Sequence, residues 1–396
     1  MRIETQQALL RRVADHLQAG TTDMAEHSLR VPARHYVDDS QTRAEIDALF
    51  RRRPLLAALT PDLPDPGAYV AIDLADVAVL LVRDDGGRAR AFVNACRHRG
   101  ARIAEGRGHA RSFSCPFHAW NWSREGRLIA RPNSCDGFDD VGDGFDTLVE
   151  LACRERAGMV FVQVENGDAD GDADGDIDAQ LDALIGDITD EIEGYGIAAT
   201  RRFGGRDTER ACNYKLIIDG FTEPYHIPAL HKATIAPYYF AHPALVDTFG
   251  PVGRMIGVRS SVTKEFDRPE AERRFLRHGT TQYLLPPNAV LVHQVDHIQF
   301  WQVHPVDGAA DRCRIELNLY WPEPVDAEAE RKAQFNLDVL WKVITEEDMP
   351  QSLGIHRNLA SGALPELVFG RNEPALIHYH RQIAAAIGSD ALRDCD

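Results

Sequence analysis

Several features are scarce or missing in this chain, and each shortage narrows what it can be. No run of about eighteen apolar residues occurs, so no segment reads as a membrane span. The N-terminus, M-R-I-E-T-Q-Q-A-L-L-R-R, has no apolar core of the signal-peptide kind, and the expected compartment is the cytoplasm. Basic residues are outnumbered, 44 against 61 acidic, for a net charge of −17. Nucleic acid and anionic lipid need a basic face, so neither is an expected partner. Cysteine is sparse: the seven are Cys96, Cys115, Cys135, Cys153, Cys212, Cys313 and Cys395. An odd number scattered along a long chain is no disulfide framework. No flavin or dinucleotide fingerprint and no internal repeat is found.

What is present is an ordinary globular composition, 44% hydrophobic and 27% charged over 396 residues, long enough for two or three domains at roughly 100–200 residues each. Part of the acidic excess is local, in E-N-G-D-A-D-G-D-A-D-G-D-I-D at 165–178. Read as a calcium loop starting at Asp170, Asp172, Asp174 and Gly175, this stretch puts Leu181 where a bidentate Glu is needed. A solvated acidic loop over 166–178 is the expectation. Helix-like spacing at 2–19 and 41–58 predicts an N-terminal helical segment, 1–58. From 59 to 165, short β-rich runs (Y-V-A-I-D-L, V-A-V-L-L-V, G-M-V-F-V-Q-V) separated by D-D-G-G and R-E-G-R predict an all-β domain. From 179 to 396 the pattern is mixed. A helix is expected at 177–195, two long strands within 281–305, a third in R-C-R-I-E-L-N-L-Y-W-P, and helices at 326–346 and 373–387. An antiparallel sheet with helices on one side is the predicted architecture, α+β overall.

Two constellations carry chemistry. In the β-domain, C-R-H-R-G (96–100) and C-P-F-H-A-W (115–120) set one cysteine and one histidine on each of two loops that follow strands. A zinc finger would place both cysteines first, C-x2-4-C…H-x3-5-H. One of each per loop suits a [2Fe–2S] cluster with two thiolates on one iron and two imidazoles on the other. Gly100 and Pro116 suit the tight turns required. A zinc-stapled β-domain is the bland alternative.

These boxes resemble those of Rieske domains, with Cys96, His98, Cys115 and His118 as cluster ligands. Rieske proteins of respiratory complexes carry an extra cysteine in each box. Ala101 and Phe117 stand in those places, so the site resembles the ferredoxin and oxygenase class.

The second constellation is C-N-Y-K-L-I-I-D-G-F-T-E-P-Y-H-I-P-A-L-H, 212–231. In one regular helix His226 and His231 would stand roughly 140° apart, too far round to share an ion. Pro228 is expected to distort the helix and bring them together. Farther on, the apolar stripe Leu337, Leu340/Trp341, Ile344 continues to Asp348 rather than Glu346 or Glu347. A carboxylate on a buried face is costly without a neutralising partner, and Fe(II) would be one. The alternative is a helix ending by Pro350 with Asp348 in water. His226, His231 and Asp348 together read as a 2-His-1-carboxylate facial triad.

The order of parts, from about 40 to 390, resembles the catalytic alpha subunits of Rieske non-heme iron oxygenases, the ring-hydroxylating and demethylating family. N-Y-K-L-I-I-D-G-F-T-E-P-Y-H-I-P-A-L-H is similar to the family's box, with Tyr214 for the usual Trp and Gly220 for the usual Asn. The resemblance implies a helix-grip (START/Bet v1-like) catalytic domain beside the Rieske domain. It implies a mononuclear Fe(II) held by His226, His231 and Asp348. It implies Glu223 as the acid bridging an iron histidine to a cluster histidine, His118, of the next subunit, and a head-to-tail homotrimer to which a beta subunit is sometimes added. Function follows the same line: a terminal oxygenase that takes NAD(P)H electrons through a separate reductase, with or without a ferredoxin, and uses O2 on a small organic substrate. The Glu at the bridging position tilts the reading toward monooxygenation or demethylation. Tyr225, His293, His297 and Trp301 are candidate pocket residues, with Phe240, Phe249 and Tyr283 as further aromatics. The rival is an electron carrier whose C-terminal domain is a docking or ligand-binding module.

Overall fold

The computed structural model describes residues 1–135, 137–141, 144–165, 177–323 and 326–395. The acidic stretch expected as a loop lies, from 166 to 176, outside the described residues. The chain divides into two compact units, Phe50–Asp182 and Met1–Leu49 with Ala183–Asp396. Among the described residues no helix is long and apolar enough to cross a membrane.

The first unit is β apart from a short 3-10 turn, Thr60–Asp62, and the start of helix Ile177–Ile185. A 7-stranded sheet runs Leu55–Leu59, Met159–Gln163, Glu150–Arg156, Ala89–Val93, Val77–Arg83, Ala68–Leu74, Arg107–His109 in spatial order, every neighbour antiparallel. A 3-stranded sheet of Phe113–Ser114, Asn121–Trp122 and Leu128–Ala130 follows the second Cys/His loop round. Their shared core includes Phe92, Phe113, Trp120 and Trp122, and it takes in both Cys96 and Cys115. The helix expected to run to residue 58 stops at Arg51, because Leu55–Leu59 is buried at every position, which a strand covered on both faces requires and an amphipathic helix does not. A further strand, Leu29–Pro32, interrupts the segment expected to be helical.

The second unit is built on a 7-stranded antiparallel sheet: Thr200–Arg210, Cys313–Pro322, Ile298–Pro305, Ala289–His293, Gly279–Leu285, Val252–Arg259, Tyr239–Phe249. The stretch expected as two strands is three, since Pro286–Pro287 and the turn after His293 each reverse the chain. Helices sit on both faces, not one. Leu9, Leu10 and Val13 of Ile3–Ala19 pack with Leu245 and Val258. Val258 alternates with Gly257, whose neighbours are the cavity-side Tyr239 and Thr280, so the N-terminal helix covers the opposite face.

Helix Tyr214–Thr222 opens with Asn213, whose side chain accepts from the Lys215 N–H, a conventional N-cap. Its buried face carries an ion pair, Lys215 Nζ to Glu45 Oε2 at 2.5 Å, both side chains 0% exposed. The Tyr214 hydroxyl donates to the same oxygen at 3.0 Å. Burial pulls the Lys215 ammonium below its ordinary pKa, and the Glu45 carboxylate opposes that pull. Removing one partner leaves the other charged and unpaired in the core. Lys215→Met is therefore expected to lower unfolding stability by about 3–5 kcal/mol, and the pair Glu45→Gln with Lys215→Met to recover most of it. Urea unfolding of the two variants checks this, and a near-neutral single variant contradicts it.

Candidate metal centres

The two Cys/His loops of the β unit fold alike. Each cysteine N–H donates to the carbonyl five residues on, Cys96 to Ala101 and Cys115 to Trp120, both at 2.8 Å. Each cysteine carbonyl accepts from the N–H four residues on, Gly100 at 2.8 Å and Ala119 at 3.0 Å. That geometry needs a left-handed residue in each loop: Gly100 at φ 77° and Ala119 at φ 57°, rather than Pro116, which sits at the loop's start. The result places the His98 and His118 rings 4.6 Å apart beside two buried thiols. Trp120 stacks on His98 at 4.9 Å. His98 Nδ1 is buried with no hydrogen-bond partner, and burial together with the neighbouring Cys115 sulfur pushes the Cys96 thiol up. An orphaned imidazole nitrogen beside a thiol that resists ionisation is the donor set a cluster would satisfy.

In the second unit the polypeptide breaks where the histidines must turn. Helix Tyr214–Thr222 ends at Glu223, which is extended. A single turn, Ile227–Leu230, follows, with Pro228 in its first positions, where a missing N–H is harmless. Pro228 thus starts a turn and does not distort a continuous helix; His226 and His231 stand at its two ends. Asp348 comes from another interruption. Helix Ala327–Val343 passes into a wider i→i+5 turn, Ile344–Asp348, before Met349–Ala360 continues it, with Pro350 in that helix's first turn.

His226 Nε2 and His231 Nε2 lie 3.1 Å apart. Asp348 Oδ1 is 3.6 Å from the first and 3.1 Å from the second. The other ring nitrogens are taken: His226 Nδ1 meets Glu223 Oε1 at 2.5 Å and His231 Nδ1 meets Glu347 Oε2 at 2.6 Å. Thr234 Oγ1 donates to the same Glu347 oxygen at 2.9 Å. Each Nδ1–H therefore faces a carboxylate, which leaves two bare Nε2 lone pairs and a carboxylate oxygen converging with no donor between them. Without a cation, burial disfavours a charged His231, yet Asp348 and Glu347 outweigh it and raise its pKa. A divalent metal fits the place of that proton. Glu347, whose contact to His231 ties it to this cluster, was passed over in the sequence, because a stripe of α-helical period points past it and the wider turn carries no sequence signal.

A cavity of about 170 Å³ opens beside these three groups. Phe221, Ile235, Val292, Trp301, Leu340 and Ile344 make it apolar, while Tyr239, Thr280, Gln282, Gln294 and Gln299 form a polar wall. Of the four candidate pocket residues only Trp301 lines it. Tyr225 is 64% exposed. His293 faces away and stacks on Tyr195 at 4.2 Å; burial pushes its pKa down to about 4. The turn after His293 pairs it with Ile298, so parity counted straight through from His293 to Trp301 inverts at the turn. His297 donates to Asp296 at 2.7 Å and accepts from Gln299 Nε2 at 3.1 Å, and Gln299 Oε1 in turn accepts from Trp301 Nε1 at 3.1 Å. His297 thus holds the wall without lining it. Tyr283 bonds Glu191, Phe249 lies under Arg254, and Phe240 packs near the N-terminal helix, so none of these encloses the cavity. On the other side of His226 and Asp348 a second cavity is lined by Asp219, Glu223 and Glu373.

A β-domain with paired Cys/His loops and an α+β unit with a two-histidine, one-carboxylate cluster define a protein with two iron-dependent parts. Residues 54–138 match the Rieske [2Fe–2S] domain, and residues 197–389 match the ring hydroxylating alpha subunit catalytic domain. The chain thus carries the two domains of Rieske-type ring-hydroxylating alpha subunits, one for a [2Fe–2S] cluster and one of the mononuclear iron type. It is 30% identical over 202 residues to the carnitine monooxygenase oxygenase subunit of Escherichia coli (strain K12), covering 51% of this chain and 52% of that protein. It is 26% identical over 211 residues to the glycine betaine monooxygenase oxygenase subunit of Chromohalobacter salexigens, covering 52% and 43%. The chain spans about half the length of these curated relatives. Its fold is similar to that of a quaternary ammonium Rieske monooxygenase bound to L-carnitine (TM-score 0.74, 19% identity, 91% and 96% covered). It is also similar to naphthalene 1,2-dioxygenase from Rhodococcus sp. (TM-score 0.73, 16% identity, 96% and 98% covered).

If the converging acceptors hold metal, His226→Ala loses the mononuclear iron while the visible absorption of the cluster remains. Glu347→Gln, which weakens the hold on His231 and touches no metal-facing atom, is expected to lower iron affinity about 10–100-fold. Metal analysis after graded chelation measures both, and unchanged iron retention in Glu347→Gln would remove the role assigned to that carboxylate.

Proposed function

We propose that the chain is the terminal oxygenase component of a multicomponent system. It would receive NAD(P)H electrons from a separate reductase, with or without a ferredoxin, and use O2 to hydroxylate a small organic molecule, oxidative demethylation included. The observation that carries the reading is the convergence of His226 Nε2, His231 Nε2 and Asp348 Oδ1 on one point at the wall of an apolar cavity. An electron carrier with a docking module has no need of that convergence. When bound, the cluster supplies single electrons and the mononuclear iron supplies activation of O2.

The chain's own groups do the positioning. Glu223 and Glu347 each hold one imidazole by its Nδ1–H, fixing the tautomer and the ring plane. Trp301, anchored through Gln299 and His297, and Phe221, 5.1 Å from it, hold the substrate's carbon skeleton against the metal-facing groups and keep water away. Glu223 also accepts from the His226 backbone N–H at 3.0 Å, yet a carboxylate has lone pairs for one more donor. The cavity it lines on that side is the approach for His118 of a neighbouring copy, itself exposed, in a head-to-tail homotrimer. A beta subunit is not required by this scheme. The relatives named above, with monooxygenase names, and Glu at position 223 favour monooxygenation over dihydroxylation. All seven cysteines are free, in keeping with a reducing, cytoplasmic setting.

The deciding measurement is iron and acid-labile sulfide on anaerobically purified protein, with an EPR spectrum after dithionite. About three irons and two sulfides per chain with a Rieske-type signal are expected. Two irons and two sulfides, with no third iron recoverable, would return the electron-carrier reading. Glu223→Gln, assayed with the mononuclear site refilled by excess Fe(II), should slow reduction-driven single turnover about 10–100-fold. Rapid-mixing kinetics on the reduced protein reads this, and an unchanged rate would leave Glu223 a local positioning group.

A further inference from the structure

One wall of the apolar cavity has a cation behind it that, among the described residues, no carboxylate neutralises. Arg259 ends strand Val252–Arg259, and its Nη2 donates to Gln294 Oε1 at 2.7 Å. Its guanidinium lies 5.7 Å from the centre of the Tyr239 ring. Arg259 Nε is buried with no partner, and among the described residues no carboxylate pairs with this side chain. A buried or half-buried guanidinium normally takes a carboxylate. Here the charge is carried instead to the cavity surface through Gln294.

The direction of that network is fixed. Arginine only donates, so the Gln294 atom facing it is the oxygen. Thr280 Oγ1 donates to the same oxygen at 2.9 Å, and its own proton being spent there, it accepts from the Tyr239 hydroxyl at 2.7 Å. Gln294 Oε1 is filled by these donors, while Gln294 Nε2 donates to no group among the described residues, although Gln294 lines the cavity. What this wall offers a ligand is the pair of Gln294 Nε2 N–H donors, polarised through the amide by a guanidinium. Gly257 leaves room for it: a Cβ there would stand 3.3 Å from the Tyr239 ring and 3.6 Å from Thr280 Cβ.

We propose that the wall formed by Gln294, Thr280 and Tyr239, with Arg259 behind it, is the head-group subsite for an electron-rich substrate oxygen, a carboxylate or a carbonyl, and that it excludes a cationic head. The substrate class is an organic acid or carbonyl compound whose apolar carbon frame lies against Trp301 and Phe221, toward His226, His231 and Asp348. An ammonium group seated against this wall would meet N–H donors and a like charge. The inference rests on the reading of this cavity as the substrate site.

The test is binding without turnover, so that it stands apart from the oxygenase reading. Three probes of one shape, phenylacetate, phenylacetamide and benzyltrimethylammonium, are titrated by calorimetry into the holoprotein purified under anaerobic conditions. Phenylacetate or phenylacetamide is expected to bind at least about tenfold more tightly than the cation, a charge-assisted bond being worth that much. Phenylacetate ahead of phenylacetamide identifies a carboxylate as the natural head, and parity identifies a carbonyl. Arg259→Met should erase the preference and Arg259→Lys restore part of it. Gln294→Glu, which keeps the side-chain shape, should reverse it toward the cation, and serves if Arg259→Met fails to fold. Tightest binding by the trimethylammonium probe, or a preference unchanged in both Arg259→Met and Gln294→Glu, overturns the proposal. Oxygen uptake with a cationic substrate under those conditions would leave the oxygenase reading standing. Selective binding of the acid by a protein lacking the third iron would leave the head-group subsite standing.

Discussion

The second unit depends on one unfavourable arrangement: three acceptor atoms held face to face. Two imidazole nitrogens 3.1 Å apart, with a carboxylate oxygen equally close to one of them, repel unless a cation sits among them. The chain does not relieve this by rotating a ring, because Glu223 and Glu347 hold both rings from behind. Those two acids turn a flexible pair of histidines into a preformed site. They also set the tautomer that makes Nε2, and not Nδ1, the inward atom of both residues.

Regular secondary structure could not build this arrangement, and each ligand sits where regularity fails. His226 and His231 flank a single turn inserted after a helix has ended at an extended Glu223. Asp348 and Glu347 come from the one wide turn inside an otherwise continuous helical run. In a regular α-helix successive side chains diverge by about 100°, which would send one of those two acids to solvent. The wider turn lets adjacent residues act together, one toward the ion and one toward an imidazole. The stiff parts of the fold carry these irregular pieces: the sheet as the cavity wall, and helix Tyr214–Thr222 pinned by the Lys215–Glu45 pair.

Much of this was legible in the chain. The paired loops were visible because cluster binding demands specific side chains at short separations, and the matched backbone turns follow from that demand. His226 and His231 were visible because a proline lies between them, although its role is to start a turn and not to bend a helix. Asp348 was found by following the apolar stripe, which held because the irregular turn begins only at Ile344. Glu347 was passed over by the same reasoning. The pocket was the least legible part. His293 and Trp301 share parity in the sequence but face opposite sides of the sheet, since the reversal between them pairs His293 with Ile298. A period of two survives along a strand and is reset at each turn, so side-chain direction cannot be carried across a hairpin whose register is unknown. The strand at Leu55–Leu59 was missed for a related reason, as a short apolar run has no period to read.

The charge around the candidate iron site bears on how a substrate must lie. Asp348, Glu223 and Glu347 gather about one point, so an Fe(II) ion leaves the neighbourhood with one excess negative charge. The surfaces next to it in the cavity are accordingly apolar, Trp301, Phe221 and Ile344, and offer nothing that would draw an anion toward the carboxylates. Among the described residues Arg259, a positive charge bordering the cavity with no carboxylate partner, stands behind Gln294 and Tyr239. Negative charge at the metal and donors at another wall give the cavity a polarity, and a polarity orders a ligand end for end. A molecule with an electron-rich oxygen gains at the donor wall and loses beside the carboxylates, so its carbon frame is left facing the metal. Orientation of this kind needs no contact to the carbon that reacts, and it leaves the choice of that carbon to the length and shape of the frame between the two ends.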